Sequence, residues 1–170
     1  MPTALDKRVL DNNRKFASGP KNGSLNIKPA SKLVIVTCMD CRIDPIAMCG
    51  FNTGEATIIR NAGAHAGEAV RSALLATHVL GAEDIYIVKH TDCGLLGVTT
   101  EFAHDVIKRN LDPAVSEAVD NFAIFPIGDL EKSAAEDVEY FRQHLLLSPK
   151  VRVTGWIYDT DSGKLSQVVE

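Results

Sequence analysis

The sequence predicts an α/β fold in which a mainly parallel central sheet is flanked by helices and bordered by an antiparallel C-terminal edge hairpin. Three continuous apolar runs, at residues 32–37, 56–60 and 84–89, predict strands buried within the sheet. Helical patterns separate these runs, and the alternation of strands with helices favours parallel pairing. Two further strand patterns near the C-terminus flank a polar turn, which predicts the hairpin.

The N-terminal region predicts one helix and one connection. Residues 3–18 have an amphipathic pattern that ends at Gly19. The apolar residues that recur near helical spacing are Leu5, Val9, Leu10 and Phe16. Residues 19–31 are rich in Gly, Pro, Asn and Lys, a composition that predicts a surface connection before the first strand.

Capping residues indicate where the next two helices begin or end. Asp44 and Pro45 are typical of an N-cap and a first helical residue, and they predict a short helix that ends near Gly50. A longer helix is predicted over residues 66–80, closed by Gly81 in the favoured position just past its end. One helix therefore follows each of the first two strands.

The C-terminal half contains four further elements, predicted from periodicity and turn residues. They are helices over residues 98–109 and 130–147, and strands over residues 151–158 and 165–169. Pro149 follows the second of these helices, and the polar turn at 159–164 joins the two strands. Residues 111–126 have no clear pattern and receive no prediction.

Length, composition and charge limit the classes of function. A chain of 170 residues fits a single domain (1–170), of which residues 1–31 form the N-terminal helix and connection. The formal net charge of -4 is spread along the chain without a basic run, so we expect neither nucleic acid nor a membrane as a partner. The chain shows no apolar run of about 18 residues and no apolar signal-peptide core, which favours a cytoplasmic location.

The four cysteines are Cys38, Cys41, Cys49 and Cys93. In a reducing compartment they are expected to be free thiols, metal ligands or nucleophiles rather than structural disulfides. Cys38 and Cys41 have the Cys-x-x-Cys spacing of a redox pair, but such a pair normally lies at a helix N-terminus, and an irregular segment is predicted here. We expect Cys41 and Cys49 to lie outside any metal site.

Metal-binding residue types directly follow two of the predicted strands. Cys38 comes after the first strand, and His90 and Cys93 come after the third. Because ligands bind at the carboxyl ends of strands in open parallel sheets, these side chains are expected to converge there. Two thiolates and one imidazole suit Zn²⁺, and three protein ligands leave a fourth position open, as in catalytic sites. The sequence therefore predicts one Zn²⁺ per chain.

Asp40 and Arg42 lie two residues apart beside Cys38, so their side chains can form a carboxylate–guanidinium pair. Such a pair would hold the carboxylate where it accepts a hydrogen bond from zinc-bound water. Alternatively, Asp40 binds zinc itself and displaces the water, since a carboxylate is also an acceptable ligand. The first arrangement favours catalysis and the second a closed site.

These motifs resemble those of the β-class carbonic anhydrases over most of the chain, from about residue 32 to the C-terminus. The similar segments are Cys-x-Asp-x-Arg at 38–42, Arg-Asn-Ala-Gly at 60–63, His-x-x-Cys at 90–93 and the hairpin at 158–165. The resemblance implies that Cys38, His90 and Cys93 bind zinc and that Asp40 and Arg42 form the catalytic dyad. It also implies a homodimer or a tetramer of dimers, with the N-terminal helix packing on a partner.

The resemblance further implies attack of zinc-bound hydroxide on a small linear molecule, foremost the reversible hydration of CO₂ to bicarbonate. Compact members of the family also include carbonyl sulfide hydrolases, which produce H₂S and CO₂ at the same kind of site, and carbonyl sulfide (COS) is the alternative substrate. A non-catalytic zinc protein closed by Asp40 is a remoter alternative. The chain departs from the family pattern at Cys41, where a serine or alanine is common.

Overall fold

The computed structural model describes residues 2–19, 23 and 25–170. The α-helices within these residues are α1 (Ala4–Ala17), α2 (Pro45–Cys49), α3 (Ala66–His78), α4 (Thr100–Arg109), α5 (Ser116–Asp120) and α6 (Leu130–Arg142). The strands are β1 (Leu33–Cys38), β2 (Ala56–Asn61), β3 (Asp84–His90), β4 (Arg152–Tyr158) and β5 (Leu165–Val169). Short 3-10 helices lie at Ala62–Ala64 and Pro113–Val115.

The strands form one five-stranded sheet in the order β2-β1-β3-β4-β5. β1 pairs in parallel with β2 and β3, β3 pairs in parallel with β4, and β5 is antiparallel to β4 at one edge. The predicted α/β fold class, including the C-terminal edge hairpin, is confirmed. Strand order reverses at β1, because β2 lies on one side of it and β3 on the other. In open sheets, ligands bind beside such a reversal.

Helices α3 and α6 cover one face of the sheet. Val36 and Ile87 lie on this face with the rest of the main core, and both are fully buried. The buried residues of α3 are all alanines, namely Ala66, Ala69, Ala73 and Ala76. Small side chains allow the helix backbone to approach the strands closely, and α3 therefore packs tightly beside the carboxyl ends of β1 and β2.

The opposite face of the sheet carries a smaller core. Ile35 and Val88 are fully buried there, and Met48 and Cys49 of α2 pack against them. Trp156 lies on the same face but is only half-buried. This face is therefore less completely covered by the described residues than the face under α3 and α6.

Helix α1 forms as predicted. Thr3 and Asp6 cap its N-terminus reciprocally, each side chain accepting a hydrogen bond from the other residue's backbone N–H. None of its residues is buried, and Phe16 has 76% of its surface exposed. Part of the predicted connection at 19–31 falls on residues 20–22 and 24, which lie outside the described residues.

Two predicted helix ends are wrong. Helix α6 ends at Arg142 rather than at residue 147, because the chain turns there and brings Leu147 into the main core. Burying this leucine outweighs the intrinsic helical preference of the last predicted turn. Helix α3 ends at His78 rather than at residue 80, and Gly81 forms the following turn with a φ of 76°. That the chain is a single domain stays a prediction.

Candidate metal centre

Cys38, His90 and Cys93 converge at the carboxyl edge of the sheet. Cys38 is the last residue of β1, His90 is the last residue of β3, and these strands are paired neighbours. One ligand atom from each of the three side chains lies within 4.8 Å of the other two. All three residues are buried, with exposures of 5%, 1% and 6% respectively. The structure thus brings Cys38 together with the two other predicted ligands, which come about fifty residues later in the sequence.

The imidazole of His90 has one nitrogen satisfied and one without a partner. Its Nδ1 lies 2.8 Å from the Thr91 carbonyl oxygen, which assigns the ring proton to Nδ1. Its Nε2 is buried and has no hydrogen-bond partner among the described residues. Because leaving a buried acceptor unsatisfied costs about 1–3 kcal/mol, this lone pair is suited to a metal ion.

The two thiols interact directly and ionise unequally. The adjacent Cys93 thiol, as a hydrogen-bond donor, lowers the pKa of Cys38, and the nearby backbone N–H groups of Asp40 and Gly63 lower it further. The same thiol–thiolate hydrogen bond raises the pKa of Cys93, which keeps its proton. A divalent cation would displace that proton, because metal ligands must be deprotonated. Two sulfurs and one unpartnered imidazole nitrogen therefore fit a zinc ion.

Arg42 fixes the carboxylate of Asp40 beside this cluster. Its Nε donates to Oδ1 at 3.0 Å and its Nη2 to Oδ2 at 2.7 Å, while its backbone N–H donates to Oδ1 at 2.9 Å. These hydrogen bonds hold the pKa of Asp40 well below its usual range. Asp40 Oδ2 lies 4.0 Å from His90 Nε2, but the carboxylate is not part of the three-residue cluster.

Asp92, in the segment 90–93, is hydrogen-bonded to Arg42 of the segment 38–42. Arg42 donates from Nη1 to Asp92 Oδ2 at 2.5 Å and from Nη2 to the Asp92 carbonyl at 2.8 Å. Asp92 has a φ of 53°, a left-handed conformation that turns its carbonyl and side chain towards the same guanidinium. From the sequence, Asp92 is expected only to cap the turn or to orient a ligand. In the structure it orients Arg42 instead.

Arg60 supports the segment that carries Cys38 and Asp40. It donates from Nε to the Cys38 carbonyl at 3.0 Å and from Nη2 to the Asp40 carbonyl at 2.6 Å. Its position near the end of an apolar strand, within the Arg-Asn-Ala-Gly segment, is the sequence feature that could have singled it out. These contacts hold the backbone on both sides of Met39.

A small cavity of about 260 Å³ opens over the cluster. Its lining residues are Cys38, Met39, Asp40, Ala62, Cys93, Gly94 and Leu95. Apart from the carboxylate and the sulfurs, this lining is apolar, as is typical of ligand pockets with a few placed polar groups. Gly94 lines the cavity, whereas Gly63 lies behind it, against the side chains of Leu95 and Ile127.

Cys41 and Cys49 lie outside the cluster. All four cysteines are free; Cys41 is exposed and Cys49 is half-buried. Burial raises the pKa of the Cys49 thiol, which makes it less reactive. Cys38 is followed by turns rather than by the first turn of a helix, so the geometry of a thioredoxin-like pair is lacking at Cys38 and Cys41.

A family model described as "Carbonic anhydrase" matches residues 33–165 of the chain. The chain is 35% identical over 166 residues to β-carbonic anhydrase 1 of Mycobacterium tuberculosis, with 94% of each protein covered. The chain belongs to the β-carbonic anhydrase family. The carbonic anhydrase structure from Glaciozyma antarctica has a TM-score of 0.90 and 32% identity, covering 99% of this chain and 100% of that one.

Other relatives are named for a different activity. A carbon disulfide hydrolase of Acidithiobacillus thiooxidans is 31% identical over 151 residues, covering 79% of this chain and 75% of that protein. The β-carbonic anhydrase family is thus shown for this chain, and its relatives include enzymes named for two different small carbon substrates.

Proposed function

We propose that this chain is a zinc enzyme that catalyses the reversible hydration of CO₂ to bicarbonate. In this proposal Cys38, His90 and Cys93 hold one Zn²⁺, and Asp40 and Arg42 are the catalytic pair. The observation that carries the proposal is the convergence of two sulfurs on the unpartnered Nε2 of His90. Membership of the β-carbonic anhydrase family supports the same activity.

Zinc bound at this centre would acidify a water molecule, so that hydroxide is available near neutral pH. The side chains around the centre would orient this water and shape the substrate cavity. Asp40, kept ionised by Arg42, would accept a hydrogen bond from this water and so orient an oxygen lone pair towards the substrate carbon. Met39 and Leu95 provide an apolar wall that admits a small nonpolar molecule and limits competing water.

The geometry favours an open fourth ligand position over a closed site. Both carboxylate oxygens of Asp40 accept hydrogen bonds from Arg42, which hold the carboxylate outside the three-residue cluster. Arg42 is itself held by Asp92. A zinc protein permanently closed by Asp40 would need no such arrangement, so this alternative has less support.

Carbonyl sulfide hydrolysis is the second candidate function. The same centre would release H₂S and CO₂ from COS, and the carbon disulfide hydrolases among the relatives support a sulfur-containing substrate. The apolar lining from Met39, Ala62 and Leu95 suits COS as well as CO₂. CO₂ is preferred because the most similar relatives reported above are named carbonic anhydrases.

We also propose that the enzyme is a cytoplasmic homodimer, or a tetramer of dimers. Helix α1 buries none of its residues against the described chain, and the sheet face around Trp156 is incompletely covered. A partner's helix would cover apolar surface of this kind. The free state of all four cysteines supports a reducing compartment. No helix in the described part of the chain has both the length and the apolar character needed to cross a membrane.

The proposal is tested by assaying zinc-loaded protein at about pH 8.5 on CO₂, COS and carbon disulfide in parallel. Proton release from CO₂ and sulfide release from the other two substrates are followed, with metal-free protein and Asp40→Asn as controls. Rapid CO₂ hydration with little sulfide supports a carbonic anhydrase. Efficient sulfide release with weak CO₂ turnover selects the second candidate. Inactivity on all three substrates with zinc bound contradicts both.

A further inference from the structure

A buried ion pair lies beneath the metal centre. Lys89 is on β3, directly before His90, and Asp137 is on α6. Lys89 Nζ lies 2.6 Å from Asp137 Oδ2, and the two side chains are only 2% and 8% exposed. Desolvation offsets much of the attraction in a buried ion pair, so stability alone is a weak explanation for this one.

Both members of the pair also bind the backbone of one short segment. Lys89 Nζ donates to the Gly63 carbonyl at 2.9 Å, and Asp137 Oδ1 accepts from the Ala66 N–H at 2.9 Å. His65, at the N-cap of α3, makes no capping hydrogen bond with its side chain. Asp137 of α6 takes this role, because its carboxylate accepts from the first backbone N–H of α3. The ion pair therefore fixes both ends of the segment from Gly63 to Ala66.

This segment needs support because its backbone is unusual. Gly63 has a φ of 70° and Ala64 a φ of 57°, so two consecutive residues adopt the left-handed conformation. For alanine this conformation costs about 1–2 kcal/mol and persists only where the surroundings hold it. A Cβ on Gly63 would lie 3.0 Å from side-chain atoms of Ile127 and Leu95, so the segment is also closely packed.

The segment is linked to the metal centre by packing. Gly63 packs against Leu95 and Ile127, and these two side chains lie in the same buried cluster as Cys38 and Cys93. The nearby Gly63 N–H also lowers the pKa of the Cys38 thiol, and such surroundings orient metal ligands. A continuous chain of contacts therefore runs from Asp137 through Lys89 and Gly63 to the buried cluster that contains Cys38. Lys89 also precedes His90 on the same strand, so this one side chain is connected to two of the proposed ligands.

We propose that Lys89 and Asp137 are positioning residues for the metal centre, which hold the segment from Gly63 to Ala66 against the buried cluster of Cys38 and Cys93 and thereby strengthen metal binding. Neither side chain touches the substrate cavity, and neither is a catalytic residue. The inference rests on the proposed zinc site but does not depend on which substrate the enzyme uses.

The test compares Lys89→Met and Asp137→Asn with the wild-type protein. Asparagine keeps an oxygen for the Ala66 N–H and removes the charge that faces Lys89, so this variant is designed to remain folded. Zinc affinity is measured by competition with a chromophoric chelator, and Co²⁺ is loaded separately to record the sulfur-to-cobalt absorption band. We expect about 10- to 100-fold weaker zinc binding in both variants and a shifted cobalt band.

Val138→Ala is the matched control. Val138 is 1% exposed and neighbours Asp137 on α6, but it belongs to the main hydrophobic core. Its truncation should lower the urea midpoint of unfolding while leaving the zinc affinity and the cobalt band unchanged. Wild-type zinc affinity and an unshifted cobalt band in folded Asp137→Asn would overturn the inference and leave the proposed function intact. Conversely, wild-type protein that binds zinc but turns over no substrate contradicts the proposed function alone.

Discussion

Arg42 and Asp40 form a bidentate ion pair in which each carboxylate oxygen accepts a separate guanidinium hydrogen bond, at 3.0 and 2.7 Å. Planar pairs of this kind fix orientation as well as charge. Asp92 holds the remaining edge of the same guanidinium. The direction of the Asp40 carboxylate is consequently set by the turn that follows β3, and this turn also carries Cys93.

Asp40→Asn should leave zinc binding intact and lower kcat about 100- to 10,000-fold, because the amide keeps the shape but is a far weaker proton acceptor than the carboxylate. Zinc content by atomic absorption and kcat for the preferred substrate are measured on the same preparation. Asp161→Asn, an exposed carboxylate in the C-terminal turn, is the control and should retain full activity. Full activity in zinc-loaded Asp40→Asn would remove Asp40 from the mechanism.

Arg42→Gln should raise the pKa of Asp40 towards its ordinary value of about 3.9, because the variant loses the side-chain hydrogen bonds that lower it. A depressed pKa in the folded state contributes stability above the unfolded-state pKa, and this contribution is lost as the pH falls. The wild type should therefore unfold at higher urea than Arg42→Gln above about pH 5, with the gap shrinking below about pH 4.

Urea unfolding of metal-free protein from pH 3.5 to 7 checks this, together with carbon NMR of the Asp40 carboxyl group. Arg71→Gln, which removes an exposed arginine from α3, should leave both measurements unchanged. A carboxyl titration in the same pH range for wild type and Arg42→Gln would contradict the assigned cause of the low pKa.

The proposed metal ligands are predictable from the sequence because each lies at or just after the end of a short apolar run. Cys38 and His90 each end an apolar run, so strand recognition and the rule for parallel sheets together bring them to one edge. The same reasoning cannot find the pairing of Lys89 with Asp137. Because side chains alternate along a strand, Lys89 lies on the same sheet face as Ile87, which indicates that it is buried. Its partner Asp137, however, lies on a helix much further along the chain.

The early end of α6, at Arg142 instead of residue 147, has a comparable cause. Residues up to Leu147 carry a helical pattern, yet the chain leaves the helix after Arg142 so that Leu147 enters the core. This choice depends on where the core lies in three dimensions, and local propensity contains no such information. Residues 111–126 gave no clear pattern because their elements, a 3-10 helix and the short α5, span only a few residues each.

Gly63→Ala should destabilise the protein by about 1–3 kcal/mol, because a side chain is strained at a positive φ and its Cβ would crowd Ile127 and Leu95. Gly94→Ala is the comparison. A Cβ at Gly94 meets no atom within 4 Å and its φ is not positive, so we expect a change within about 0.5 kcal/mol. Urea unfolding of the two variants measures the difference. Equal destabilisation would show that local strain at Gly63 is unimportant.

Lysine substitutions on the apolar side of α1 should dissociate the proposed dimer. Val9 and Phe16 are 57% and 76% exposed in the chain alone, and burying each against a partner would contribute about 1.5–3 kcal/mol. Val9→Lys with Phe16→Lys should therefore weaken the dimer at least about 100-fold, as measured by sedimentation equilibrium. Lys7→Gln, about 200° around the helix from Val9, should have no effect. An unchanged dimer in the double variant would exclude α1 from the interface.

The order of the strands also determines when in folding the centre can exist. β1 and β3 are neighbours in the sheet, but α2, β2 and α3 lie between them in the chain. A growing chain that has reached only the end of α3 holds Cys38 but lacks His90 and Cys93, so it has only one of the three proposed ligands. The site assembles only when β3 docks along β1, a non-local pairing with a high closure cost. In the proposed enzyme, capture of the metal would therefore follow this long-range pairing and report that β1 and β3 have come together.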